Sequence, residues 1–217
     1  MSDAITIDQI QNRFKTTQSP VDPLAVEFEH LGVALPEAVV SSIRGDLQAA
    51  AVLVPIIQRN MGLTVLLTER SAALKYHAGQ VSFPGGRVEP DDGSITATAL
   101  RETYEEVGIA PSQVEVFGYL PPCATVTGYA VTAVIGLIKP GHEIKLDSAE
   151  VAEAFEVPME FLLEEGNVTY DKYDYKGGRV PVATYNFEGH KIWGVTAGII
   201  LKLKDQVTNK NKQLWTK

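Results

Sequence analysis

Hydrophobic positions along the chain fall into short runs that predict an alternation of strands and helices. Two nearly unbroken apolar runs at 49–57 and 63–68 flank Asn60-Met61-Gly62, which is typical of two buried strands joined by a turn. A second hairpin is predicted where alternating segments at 170–175 and 180–187 flank a pair of glycines. Further strands are expected at residues 115–120, 129–138 and 155–157.

Segments with helical spacing lie between these strands. Ser94 is a suitable N-cap and Gly108 a suitable C-terminal stop, so a helix is predicted between them. Other helices are predicted over residues 5–18, around 37–43, and over 147–154, 159–164 and 193–203. Strands that alternate with helices favour an α/β fold, in which a mixed sheet carries helices on both faces.

The composition fits one domain with a single core. The chain has 217 residues, of which 45% are hydrophobic, and this length is ordinary for one domain. Pro20 and Pro23 interrupt the N-terminal helical pattern well before the first apolar run. We therefore assign residues 1–45 to an N-terminal helical extension and residues 46–217 to the main domain.

The charge and the cysteine content exclude several classes of protein. A formal net charge of −8 disfavours a general nucleic-acid binder, which needs a basic face, but leaves room for an anionic small molecule beside a local basic cluster. The single cysteine, Cys123, cannot form an intrachain disulfide and is interpreted as a packing residue. No apolar run reaches the roughly 18 residues of a membrane span, and the cytoplasm is the expected location.

The predicted helix after Ser94 concentrates negative charge on one face. Glu102, Glu105 and Glu106 are three and four positions apart, so they lie within an arc of roughly 100°. Repulsion between these carboxylates destabilises the bare helix, whereas a divalent cation that prefers oxygen ligands would turn it into binding energy. The alternative is a solvated acidic face. The adjoining stripe, which is predicted to face the core, comprises Ile95, Ala99, Thr103 and Val107.

The segment that precedes this helix favours a metal site over a solvated acidic face. A glycine turn, Phe83-Pro84-Gly85-Gly86, leads to Arg101-Glu102-Thr103-Tyr104-Glu105-Glu106-Val107-Gly108, and together they resemble the Nudix box of hydrolases that cleave nucleoside diphosphates linked to another group. The usual box places a Glu six residues after its Gly and an Arg eight residues after that Glu. Here Asp92 stands six residues after Gly86, and Arg101 follows nine residues after Asp92, so the box is one residue longer.

A second resemblance covers residues 66–86, which run from a strand into a basic loop. Arg70, Lys75 and His77 are placed there to converge on phosphates, although a solvated basic loop has the same composition. With the box, this segment is similar to the coenzyme A pyrophosphatase branch of the Nudix family, which usually has Arg in place of Lys75. The likeness extends over residues 49–203 and includes Leu120-Pro121-Pro122, residues 126–129 and residues 192–199.

The resemblance implies a fold, a cofactor and a set of site residues. The fold would be the Nudix α/β/α sandwich, and the cofactor would be Mg²⁺ or Mn²⁺. The implied metal ligands are Glu102, Glu105 and Glu106, with a backbone carbonyl of Gly85 or Gly86. The implied catalytic residues are Arg101, as a structural partner of Glu105, and Glu102 or Glu150 as the general base, with Glu102 the first candidate. The implied substrate-binding residues are Arg70, Lys75 and Arg87, as partners of a phosphate, together with His77.

The substrate implied by the resemblance is coenzyme A or an acyl derivative, cut to 4′-phosphopantetheine or its acyl form and adenosine 3′,5′-bisphosphate. One alternative is hydrolysis of another nucleotide, such as ADP-ribose, NADH or a dinucleotide polyphosphate. The other is a non-catalytic nucleotide-binding module, which has no use for three crowded carboxylates. The resemblance also favours a homodimer, with a small-molecule nucleotide as the other partner and neither nucleic acid nor membrane.

Overall fold

The first predicted hairpin lies at the centre of a mixed sheet. The computed structural model describes residues 5–26, 47–175 and 178–208. Its helices are α1 (Ile7–Phe14), α2 (Ile95–Val107), α3 (Met159–Leu163) and α4 (Gly194–Thr208). Its strands are β1 (Gln48–Arg59), β2 (Gly62–Arg70), β3 (Val81–Ser82), β4 (Gly85–Arg87), β5 (Val114–Ala124), β6 (Tyr129–Ile138), β7 (Val151–Pro158), β8 (Val168–Tyr175), β9 (Gly178–Phe187) and β10 (His190–Trp193).

Strands β1 and β2 of the main sheet are paired only near their connecting turn and separate beyond it. This separation determines where the glycine turn lies. β1 pairs in parallel with β6 along most of its length, but it pairs with β2 only near the turn, from Ile56 opposite Val65 to Arg59 opposite Gly62. Beyond that point β4 pairs with β1 and β3 pairs with β2. The segment from β3 to β4 therefore fills the space between the two central strands.

Helices cover both faces of this sheet. Alternate residues of its strands point to opposite faces, so each face presents apolar side chains that a helix can bury. Leu53 and Ile57 of β1 pack with α2 in one core, whereas Val54 and Ile56 belong to a second core on the opposite face. The second core also contains residues of α1, α4 and a separate antiparallel sheet in the order β10-β9-β8. The layers form the predicted α/β/α sandwich with a mixed sheet.

The N-terminal helix α1 packs into the core of the main domain. Ile10 and Phe14 are 0% and 1% exposed, and the ring of Phe14 meets that of Phe117 edge-on at 6.0 Å. Thr6 caps the helix, since its side chain accepts a hydrogen bond from the Gln9 amide. This helix lies within the predicted range 5–18. The helix predicted around 37–43 and the proposed boundary after residue 45 lie outside the described residues.

One predicted helix is wrong. Residues 147–154 form a turn over 147–150 followed by the start of β7, in which Val151 is buried and Glu153 is exposed. β7 pairs antiparallel with β2 from Pro158 opposite Thr64 to Val151 opposite Arg70, and these hydrogen bonds override the local helical pattern. The strand predicted at 155–157 is the central part of β7. The last helix, predicted to end at residue 203, continues as α4 to Thr208.

Within the described ranges, none of the helices is long and apolar enough to cross a membrane.

Candidate active site

Helix α2 carries the acidic motif. The helix begins after Ser94 and ends at Gly108, as predicted. The Ser94 side chain accepts a hydrogen bond from the Ala97 amide at 3.1 Å, and Gly108 ends the helix with a positive φ of 75°. The stripe predicted to face the core is buried, and it comprises Ile95, Ala99, Thr103 and Val107. Burial of this stripe fixes the rotation of the helix, so that part of its acidic face lies against β4.

The three glutamates of α2 differ in exposure. The side chain of Glu106 is 2% exposed, that of Glu102 is 15% exposed and that of Glu105 is 54% exposed. The structure therefore brings Glu102 and Glu106 together beneath the surface and leaves Glu105 at the rim.

Glu106 is a buried carboxylate with unused bonding capacity. Its Oε1 lies 3.7 Å from Nη1 of Arg70, while its Oε2 is buried and has no hydrogen-bond partner in the described ranges. Burial raises the pKa of Glu106 to about 8, although Arg70 and the backbone of Gly85 oppose this shift. The negative charges of Glu102 and Glu150 raise this pKa further. Such a group is stabilised by an added positive charge.

Glu102 lies directly on the glycine turn. A Cβ atom at Gly86 would stand 2.4 Å from Oε1 of Glu102, so only glycine lets the backbone of β4 approach this carboxylate. At Gly85, φ is 156° and a Cβ would stand 2.3 Å from the carbonyl oxygen of Ala51. Burial raises the pKa of Glu102, and hydrogen bonds from Arg101 oppose that shift.

Arg101 joins the turn and the helix through five acceptor atoms on four residues. Its Nε and Nη2 each lie 2.9 Å from an oxygen of Asp92, and its Nη1 lies 2.9 Å from Glu102 and 3.0 Å from Glu105. The fifth acceptor is the carbonyl oxygen of Arg87, which lies 3.2 Å from Nη2 of Arg101. The Arg101–Glu105 pair predicted from the spacing is confirmed. Asp92 also accepts hydrogen bonds from the Thr98 hydroxyl at 2.8 Å and from the Glu89 amide at 2.9 Å.

The sequence predicts no role for Asp92, because the extra residue between it and Arg101 obscures their pairing. The signal that could have found it is its position six residues after Gly86, where the box has an acid. The Arg101 guanidinium holds the pKa of Asp92 well below its usual range. In turn, hydrogen bonds to Asp92 raise the pKa of Arg101.

Glu150 lies in the turn before β7, close enough to the box for its charge to raise the pKa values of Glu102 and Glu106. Its side chain is exposed, and its backbone carbonyl accepts a hydrogen bond from the Ser71 amide at 2.8 Å. This bond ties the turn to the basic loop that follows β2. A residue far away in sequence is thereby brought to the acidic cluster.

A cavity of about 560 Å³ adjoins the glycine turn. Among the residues predicted to bind substrate or metal, those that line it are Arg70, His77, Arg87, Gly85 and Gly86. Lys75 is not part of the lining, and its exposed ammonium lies 5.3 Å from the centre of the Tyr76 ring. The imidazole of His77 pairs with the side chain of Gln80 at 2.8 Å.

A second cluster of metal-ligating residue types lies between the two sheets and was not predicted. The ligand atoms of Glu69, Glu153 and His190 all lie within 4.8 Å of one another. His190 is 3.1 Å from Glu69 and 3.9 Å from Glu153, and its ring stacks on Phe155 at 3.8 Å. The three residues come from separate strands with no local motif, so sequence spacing offers no signal for this cluster.

The box residues fit a hard divalent cation. Their donors are carboxylate oxygens, and the buried Oε2 of Glu106 has no partner within the described part of the chain. Burial raises the pKa values of Glu102 and Glu106, and the charge of Glu150 adds to both shifts, as is expected of crowded carboxylates that would gain from a shared cation.

Comparison with known proteins identifies relatives of this chain. A model of the NUDIX domain family matches residues 47–174. An uncharacterized Nudix hydrolase, NudL, from Shigella boydii serotype 4 (strain Sb227) is 49% identical over 163 residues, which are 73% of this chain and 82% of that protein. NudL from Photorhabdus laumondii subsp. laumondii is 48% identical over 158 residues, covering 73% of this chain and 84% of that protein.

Among solved structures, a MutT/nudix family protein from Enterococcus faecalis has a TM-score of 0.48 and 17% sequence identity, over 94% of this chain and 74% of that one. The sandwich fold and the box helix define a nucleotide hydrolase of the kind that requires a divalent metal. The chain belongs to the Nudix family.

Proposed function

We propose that this Nudix hydrolase cleaves the diphosphate bond of coenzyme A or acyl-CoA. The products would be 4′-phosphopantetheine or its acyl form and adenosine 3′,5′-bisphosphate. The observation that carries the proposal is the cavity that adjoins the glycine turn and has Arg70, His77 and Arg87 in its lining. It offers cations for a diphosphate and enough volume for a large organic group.

The proposed cofactor is Mg²⁺ or Mn²⁺, held by Glu102, Glu105 and Glu106 with a backbone carbonyl of Gly85 or Gly86. When bound, the metal would neutralise the diphosphate oxygens and lower the pKa of a bound water. Glu105 is the most exposed of these ligands and is held by Arg101, so we expect it to contribute less than Glu106.

The protein side chains would orient the reactants and move a proton. Glu102 is the proposed general base, because its carboxylate rests against Gly86, which lines the cavity. It would accept a proton from the water that attacks phosphorus, while the bond to the bridging oxygen breaks. Arg101 would hold Glu102 in place through its 2.9 Å contact. Glu150 is the second candidate for the base.

Arg70 and Arg87 would bind the phosphates, with His77 beside them in the cavity wall. Lys75 is also proposed as a phosphate partner, and its flexible ammonium would contact phosphate as a point charge instead of a planar fork. The exposed position of Lys75 outside the cavity lining suits contact with the outer 3′-phosphate better than with the diphosphate.

The test is direct product analysis. The full chain is incubated with Mg²⁺ or Mn²⁺ and, separately, with coenzyme A, acetyl-CoA, ADP-ribose, NADH and diadenosine polyphosphates, and the products are resolved by chromatography with mass detection. Selective release of adenosine 3′,5′-bisphosphate supports the proposal. Preferred cleavage of another nucleotide would replace the substrate, and binding without turnover of any would identify a non-catalytic module.

Two controls make this assay specific. A chelator should remove turnover and added Mn²⁺ or Mg²⁺ should restore it, because the proposed reaction depends on the metal. The Glu106→Gln variant, purified in the same way, measures activity from contaminating enzymes. Homodimer formation and cytoplasmic location remain predictions, and light scattering after size-exclusion chromatography tests the first.

A further inference from the structure

Two aromatic rings from different strands stack in the wall of the cavity. Tyr173 of β8 and Trp193 of β10 have ring centres 5.2 Å apart and planes inclined by 14°. Both residues line the cavity that adjoins the glycine turn. A nearly parallel pair presents a flat aromatic surface, which is a different chemical feature from the aliphatic side chains around it.

Polar contacts hold this pair in position. The ammonium of Lys191 donates hydrogen bonds to the Tyr173 hydroxyl at 3.0 Å and to Asp171 at 2.9 Å. It also lies 5.7 Å from the centre of the Tyr173 ring and 6.0 Å from that of Trp193. A side chain whose rotamer is already fixed loses less conformational entropy on binding a ligand.

The aromatic pair is connected to the reaction site through the same cavity. Gly85, Gly86 and Arg87 line this cavity together with the two rings and with aliphatic residues of β9 and α4, which include Val180, Val182 and Leu201. A ligand whose diphosphate lies beside the glycine turn can therefore extend one of its ends to Tyr173 and Trp193.

We propose that the purine base of the substrate stacks on the Tyr173–Trp193 pair. This inference rests on the proposed function only in that the substrate is a purine nucleotide. An acyl chain or a pantetheine arm gains nothing specific from a flat aromatic surface, because aliphatic walls serve it equally well. A base gains stacking in addition to apolar burial.

Fluorescence of Trp193 provides a direct test. The chain has two tryptophans, Trp193 and Trp215, so a Trp215→Phe variant reports on Trp193 alone. This variant is titrated with adenosine 3′,5′-bisphosphate, with 4′-phosphopantetheine and with inorganic pyrophosphate. We expect a saturable change in emission with adenosine 3′,5′-bisphosphate and none with the two ligands that lack a base.

Substitutions provide the second test. Trp193→Leu and Tyr173→Leu keep an apolar side chain but remove the ring, and we expect KM to rise by about 5- to 100-fold, with a smaller effect on kcat. Trp193→Phe should recover most of the loss. The matched control is Phe187→Leu. Phe187 lies in the same sheet, on β9, but its ring packs on Phe161 of α3 at 4.9 Å and is not part of the cavity lining.

The outcomes separate the two proposals. If coenzyme A is hydrolysed while Trp193 emission does not respond to adenosine 3′,5′-bisphosphate, the stacking site is wrong and the proposed function stands. If no substrate is hydrolysed but the emission changes saturably, the stacking site stands and the proposed function fails. Equal KM increases in Trp193→Leu and Phe187→Leu would also overturn the stacking site, because they would indicate a general loss of packing. Thermal unfolding of each variant establishes that it is folded.

Discussion

The guanidinium of Arg70 lies 3.7 Å from the carboxylate of Glu106, and this contact joins the end of β2 to the last turn of α2. The Nε atom of Arg70 and the Oε2 atom of Glu106 are both buried, and neither has a hydrogen-bond partner among the residues that the structure describes. Buried polar atoms in folded proteins are nearly always paired, so this pair keeps bonding capacity for a ligand. The basic segment and the acidic box therefore form one site.

Glu106→Gln should abolish most of the activity without destabilising the protein. Loss of an outer-shell partner of a metal ligand typically costs about 10- to 100-fold, and we expect the loss of Glu106 to exceed that range. The free energy of unfolding should be unchanged or higher, since Glu106 must either take up a proton on folding or carry a buried charge, and the amide does neither. Steady-state kinetics with coenzyme A and Mn²⁺, together with thermal unfolding, measure both effects.

The control for Glu106→Gln is Glu115→Gln, which changes an exposed acid on β5 that accepts a hydrogen bond from Gln11 at 3.3 Å. It should retain full activity. Full activity in Glu106→Gln itself would contradict the assignment of the metal site.

Asp92→Asn should destabilise the protein in a pH-dependent way. The pKa of Asp92 is lowered on folding, so its ionised form contributes stability above the ordinary carboxyl pKa of about 4, and this contribution is lost as the pH falls below that value. We expect a loss of about 2–3 kcal/mol at pH 7, since the side chain is 6% exposed and Arg101 is 25% exposed. Urea unfolding at pH 7, 5 and 3.5 measures it.

The difference between Asp92→Asn and the parent protein should be the same at pH 7 and pH 5 and smaller at pH 3.5. A difference that stays constant over this pH range would show that the charge of Asp92 is not what stabilises the turn. The activity of Asp92→Asn should also fall, because Arg101 would lose the partner that orients it towards Glu102.

Gly86→Ala should reduce activity far more than stability. The added methyl group would displace the carboxylate of Glu102, which is the mobile end of a flexible side chain, so the backbone does not need to move. A displacement of about 1 Å in a catalytic group costs about 100-fold, whereas we expect the free energy of unfolding to change by less than about 1 kcal/mol. Gly93→Ala is the matched control, since a Cβ there meets nothing within 4 Å. Equal kinetics in the two variants would argue against a catalytic role for Glu102.

His190→Ala should lower the free energy of unfolding by about 1–2 kcal/mol. The substitution removes the pairing with Glu69 at 3.1 Å and the stacking on Phe155, both of which link β10 to the main sheet. Chemical denaturation measures the loss. Glu153→Gln serves for comparison, because Glu153 is 56% exposed and 3.9 Å from His190, and it should change stability by less than about 0.5 kcal/mol. Similar losses in both variants would show that the stacking and the close pair contribute little.

The elements predicted correctly are those whose cause is local. Helix α2 follows from the cap at Ser94, the stop at Gly108 and a buried stripe at helical spacing, and all three features are present in a short window. The central hairpin follows in the same way from two apolar runs and a turn. The helix predicted at 147–154 was wrong because the strand that forms there pairs with β2, which is distant in the sequence.

The features of the candidate site also fall into those with a local cause and those that depend on distant residues. The sequence by itself determined the box, the acidic face of α2 and the glycines before it, because motif spacing and helical period are properties of neighbouring residues. Only the tertiary structure decided that Glu106 is buried while Glu105 is exposed, that Asp92 holds Arg101, and that Tyr173 stacks on Trp193. Burial and the meeting of distant side chains depend on how the sheet and helices pack, and this packing is not encoded in any short segment.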